Sequence, residues 1–93
     1  MRLTILREPQ SPAADPATLA LNALGWVLSD EARAGRLLAL TGLTVEALRA
    51  GLDDSATLGA VFDFLAAHEP DLLAASAALG VEPGELIAAR ERL

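Results

Sequence analysis

Cysteine is absent from this 93-residue chain. Its absence excludes disulfides, thiolate catalysis and cysteine-ligated metals, and it suits a reducing compartment. Lysine is absent as well, all seven basic residues being arginine; this reads as genomic base composition rather than function. Aromatic residues are only 3% of the chain, with Trp26, Phe62 and Phe64 the whole set. Histidine occurs once, at His68. No stretch approaches the roughly 20 uncharged apolar residues of a membrane span. The opening Met1-Arg2-Leu3-Thr4-Ile5-Leu6-Arg7 has too short an apolar run for a signal peptide. The expected location is cytoplasmic, away from membranes. Positive charge is also in short supply, the net charge being −6. Nucleic-acid binders carry the opposite surplus, so the balance disfavours DNA, RNA and anionic membranes and suits a basic or apolar partner.

What the chain has in abundance is alanine and leucine, within a hydrophobic share of 53%. Both favour helices, whereas the β-branched and aromatic residues that favour strands are scarce. The prediction is an all-α fold, a compact six-helix orthogonal bundle forming one domain over residues 15–93. Residues 1–14, with Pro9 and Pro12, read as an irregular arm.

Local signals set the helix ends. Asp15 caps a first helix with Pro16 at its first position, running to about Leu28. Asp30 caps a second, to about Thr41, ended by Gly42. Arg33 and Arg36 fall on its outer side, and Leu37, Leu38 and Leu40 on its inner side. Thr44 caps a short third helix, Val45 to about Ala50, whose apolar side is Val45, Leu48 and Leu52. Asp54 caps a fourth, to about Ala67. Pro70 starts a fifth, ending near Leu79 and closed by Gly80. The sixth begins around Pro83, with Leu86 and Ala89 turned inward. Helices one and four are apolar around most of their circumference, so they either form the central pair or are covered by another chain.

One pattern occurs twice, about 38 to 39 residues apart. Asp15-Pro16-Ala17-Thr18-Leu19 opens the first copy and Asp54-Ser55-Ala56-Thr57-Leu58 the second. Gly42-Leu43 and Gly80-Val81 close the second helix of each copy, with Leu48 and Leu86 beyond. Two similar helix-turn-helix units follow. Two copies are too few for a solenoid, which again points to a compact domain.

No catalytic constellation stands out. His68 lies between helices four and five, where the plain reading is a helix-end residue facing solvent. Glu69 and Asp71 are close by, but one histidine and two carboxylates at capping positions make weak metal ligands. The carboxylate pairs Asp30-Glu31, Asp53-Asp54 and Glu82/Glu85 sit at helix starts, where the dipole favours negative charge. No phosphate-binding glycine loop is present. Trp26, Phe62 and Phe64 are expected in the core. Arg33, Arg36 and Arg49 read as a solvated face with local ion pairs. Accordingly no catalytic, cofactor-binding or metal residue is assigned, and no cofactor is expected.

Two resemblances add to this. Leu72 to Leu86 resembles the helix-turn-helix family of DNA-binding domains, with Ser76, Gly80, Val81 and Leu86 where that motif places small, turn, branched and apolar residues. The resemblance implies a recognition helix beginning near Glu82. That helix would bring Glu82, Glu85 and Glu91 towards phosphates, with Arg90 and Arg92 only at its end. The second resemblance covers residues 15–93. Gly35-Arg36-Leu37-Leu38-Ala39-Leu40-Thr41-Gly42-Leu43 is its most specific block, with Leu28-Ser29-Asp30-Glu31, Leu48-Arg49-Ala50 and Val61-Phe62-Asp63-Phe64-Leu65 around it. These look like the small bacterial family catalogued as domain of unknown function 3572. The resemblance implies a compact helical domain and adds no site. The resulting functional expectation is a non-catalytic protein-interaction module, with an unidentified protein partner or a second copy as occupant. The alternative is a helix-turn-helix nucleic-acid-binding regulator.

Overall fold

A computed structural model describes residues 15–93. The arm expected over residues 1–14 lies outside the described residues. Six helices appear in the predicted order: α1 (Pro16–Leu28), α2 (Glu31–Thr41), α3 (Val45–Ala50), α4 (Ser55–Ala66), α5 (Glu69–Leu79) and α6 (Pro83–Arg92). Among the described residues there is no strand. The fold is all-α.

The helix starts follow from side-chain oxygens placed ahead of unpaired backbone N–H groups. The Asp15 carboxylate accepts from Thr18 N at 3.0 Å and from its hydroxyl at 3.2 Å. Asp54 does the same for Thr57, at 3.1 and 3.2 Å. Asp30 accepts from Arg33 N at 2.9 Å and the Thr44 hydroxyl accepts from Ala47 N at 3.0 Å. At α6 the Glu85 carboxylate reaches back to Glu82 N, 2.8 Å away. α5 starts at Glu69, one residue earlier than expected, with Pro70 in its first turn and His68 at the capping position without a side-chain cap bond. Gly42 and Gly80 end α2 and α5 at φ values of 74° and 71°, the left-handed region that glycine enters without steric cost. The caps at Asp15 and Asp54 and the turns at Gly42 and Gly80 therefore repeat between the two halves, while the Asp30 cap has no counterpart at His68.

The packing does not repeat as faithfully. The most extensive interface joins α1 to α4, and both helices also touch α2, α5 and α6. They are the central pair, as their apolar circumference demands. α6 packs on α1, α4 and α5, whereas α3 forms no comparably broad contact. One core results, centred on Leu19, Ala23, Val27, Leu58, Val61, Phe62, Phe64, Leu65 and Leu86. Phe62 and Phe64 are buried as expected. Trp26 is only partly buried, lying against the edge of that core. On α2 the inward assignment holds for Leu37, which is fully buried, and partly for Leu38. It fails for Leu40, which is 72% exposed: α2 lies on the bundle along a seam one residue wide, and Leu40 falls beyond it.

Candidate functional site

The three arginines grouped by sequence go separate ways. Arg33 lies flat on Trp26, its guanidinium carbon 3.7 Å from the ring centroid. Its terminal nitrogen donates to the Trp26 carbonyl at 2.7 Å and to the Ser29 hydroxyl at 3.0 Å. The arginine thereby ties the start of α2 to the end of α1 and covers the indole. Stacking of this kind uses the ring's negative face and the planar cation together.

Arg36 reaches across to α5. Its two terminal nitrogens donate to Asp71 Oδ2 and Oδ1 at 2.6 and 3.3 Å, a forked geometry that suits guanidinium and carboxylate. His68 Nδ1 lies 3.0 Å from the same Oδ2. Asp71 is 7% exposed. The hydrogen bond from Arg36 holds its carboxyl below the ordinary range; burial opposes this, and the bond from His68 assists. The same pairing raises Arg36. His68 is thus a half-exposed helix-end residue, as read from sequence, but one anchored to a buried acid. Sequence reading missed the Arg36–Asp71 bridge. Its partners are 35 residues apart, and no local pattern links them.

The remaining carboxylate pairs act as helix caps, with Asp30, Asp54 and Glu85 all bound to backbone N–H groups. Among the described residues no three histidine, aspartate or glutamate side chains gather to hold a metal ion. α5 and α6 meet at 94° about Gly80, within the range of a helix-turn-helix pair. Val81 N closes the turn on the Ser76 carbonyl at 3.0 Å. Along α6, Arg90 is drawn back to Asp63 of α4 at 3.0 Å and lies over Gly59, where a Cβ would meet its guanidinium carbon at 2.9 Å. Among the described residues, no single helix is long and apolar enough to cross a membrane.

An apolar groove of about 290 Å³ lies between α1 and α3. Leu21, Leu24, Gly25 and Leu28 form one wall, and Val45, Leu48, Arg49 and Leu52 the other. Leu24 and Leu48 are buried floor residues, while Leu21, Leu28, Val45 and Leu52 are 41%, 46%, 50% and 39% exposed. Val45, Leu48 and Leu52, the apolar side expected for this helix, all line the groove, and of the three only Leu48 is buried. A second, more polar hollow of about 350 Å³ lies between α2 and α4, beside Leu40, Asp63 and Phe64.

Fold and surface together define a small all-α domain with an apolar groove between α1 and α3. The chain belongs to the family described as "Protein of unknown function (DUF3572)", which it matches over residues 13–93. Comparison with curated proteins and with solved structures returned no match.

Proposed function

We propose that this protein is a non-catalytic interaction module that binds another protein through the α1–α3 groove. One observation carries the reading. Of the seven large hydrophobic side chains that stand exposed among the described residues, four line this single groove. Scattered exposed leucines are ordinary on a protein surface; a contiguous apolar recess marks a binding site. The main polar contacts of the fold are structural: Asp30, Asp54 and Glu85 cap helices, Arg36 and Asp71 bind α2 to α5, and Arg33 covers Trp26.

The test is affinity capture from the native cell with the full chain and with Leu28→Glu, which puts a charge in the groove wall at a half-exposed position. A stoichiometric partner retained by the wild type and lost from the variant, with both proteins equally folded by circular dichroism, supports the reading. No stoichiometric partner, with a measurable enzymatic turnover instead, overturns it.

Nucleic-acid binding is the second reading, favoured by the 94° crossing of α5 and α6. Charge opposes it. Glu82 and Glu85 occupy the start of α6, and Arg90 is committed to Asp63. An anisotropy titration with random duplex at low ionic strength separates the two, since phosphate contacts would give a strongly salt-dependent signal.

A further inference from the structure

We infer that the occupant of the α1–α3 groove is an amphipathic helix of a different protein, apolar along one stripe and basic beyond its ends. This inference rests on the interaction-module reading and names the partner's chemistry. Both walls carry apolar residues seven apart: Leu21 and Leu28 on α1, and Val45 on α3 with Leu52 in the turn that follows it. At 1.5 Å per residue the α1 pair spans about 10 Å, two helical turns. A visiting helix with apolar side chains at i, i+3 or i+4, and i+7 matches that length and has two walls to touch.

Gly25 lies between Leu21 and Leu28 on the α1 wall. A Cβ built there meets nothing within 4 Å, and its φ is not in the left-handed region. Neither the packing of the fold nor the backbone requires glycine, although glycine inside a helix weakens it. What its missing side chain supplies is a low point in the wall, where a second helix backbone approaches closely.

Charge selects the kind of helix. Exposed carboxylates adjoin both walls along the chain: Asp30 and Glu31 follow Leu28, Asp53 and Asp54 follow Leu52, and Glu46 is next to Val45. Arg49 is the one cation of the lining and has no ion-pair partner among the described residues. The complementary helix bears arginine or lysine at its ends and an acidic or amide side chain opposite Arg49. A second copy is a poor occupant. Two chains of net charge −6 repel, and the four exposed wall residues together offer less surface than two fully exposed ones, far short of the roughly 800 Å² per partner of a standard interface.

The probe is a synthetic 16-residue helical peptide with leucine at i, i+3, i+4 and i+7 and arginines at both ends, compared with a twin carrying glutamate in place of every arginine. Binding to the full chain is followed by amide chemical shifts. The expected result is micromolar affinity for the basic peptide, at least about tenfold weaker binding of the acidic twin, and shifts confined to α1 and α3. Gly25→Met, which fills the low point, should weaken the basic peptide at least about tenfold without lowering Tm.

Equal binding of both peptides, shifts on another face, or full binding to Gly25→Met overturns the inference. So does light scattering that finds a dimer which Gly25→Met dissociates, since a second copy is then the occupant. The same holds if Leu3→Asp with Ile5→Asp tightens peptide binding tenfold, because the protein's own first residues would then fill the groove. A partner captured by wild type and Gly25→Met alike, yet lost from Leu28→Glu, would sink this inference and leave the groove reading standing.

Discussion

Replacing Leu37 by alanine removes the branch of the only buried side chain on α2. Truncating a buried leucine costs about 2–5 kcal/mol, combining lost transfer energy with the cavity left behind. The low half of that range applies, because α2 lies on the outside of the bundle and has no second buried residue to hold the cavity open. A loss of about 2–3 kcal/mol is a large part of the roughly 5–15 kcal/mol that stabilises a typical domain. At about 4–8 °C per kcal/mol for a domain of this size, Tm should fall by roughly 10–20 °C. Leu40→Ala is the internal control. It lies on the same helix and removes the same atoms, but from a side chain 72% exposed, so its effect should stay within about 0.5 kcal/mol. Urea denaturation followed by circular dichroism measures both, and the Leu37→Ala midpoint should fall with the slope unchanged. Equal losses in the two variants, or a Leu37→Ala protein as stable as wild type, would refute the assignment of α2 to its single-residue seam.

Other substitutions probe the remaining contacts. Asp71→Asn should lower Tm at neutral pH, and the gap to wild type should close on acidification. The folded carboxyl of Asp71 is held below its ordinary value, so its stabilisation is complete above the unfolded carboxyl range and is lost as pH falls below about 4; a gap that stays constant in a thermal-melt series down to low pH would contradict this. Gly51→Ala should cost about 1–3 kcal/mol because the new Cβ falls against the Thr57 side chain, 2.9 Å from its Cβ. Gly25→Ala should gain about 0.5–1 kcal/mol, and opposite signs in paired melts are the check. Asp15→Ala and Asp54→Ala each remove one capping acceptor and should each cost about 1 kcal/mol, with unfolding free energies that agree between the two sites.

Helix order and ends could be read from the chain because their causes are local. Asp15, Asp30, Thr44 and Asp54 each satisfy a backbone N–H three residues on, and Gly42 and Gly80 each take the one conformation that stops a helix cleanly. Burial was harder to read. In a helix of alanines and leucines most directions are apolar, so Leu40 is indistinguishable from Leu37 until the position of α4 is known. Asp71 shows the same limit. A carboxylate in the first turn of α5 looks like dipole chemistry, and only the tertiary fold brings Arg36 over it. The groove needed still more, since Leu21 and Leu28 become a wall only when Val45 and Leu52 stand opposite. On α1 the residues Thr18, Asn22, Gly25 and Ser29, spaced three and four apart, are all exposed, and the two leucines share that open side.

The pairing of α1 with α4 makes the two halves of the chain mutually dependent. Leu19, Ala23 and Val27 come from one half, and Leu58, Val61, Phe62 and Leu65 from the other, yet they enclose a single interior. α4, α5 and α6 also pack on one another, but each half leaves apolar surface that only the other covers. A backbone cut at Asp53, an exposed residue in the turn between α3 and α4, would therefore yield two fragments that each display a sticky apolar face alone and hide it on meeting. Such separated pieces should regain their full helicity only when mixed.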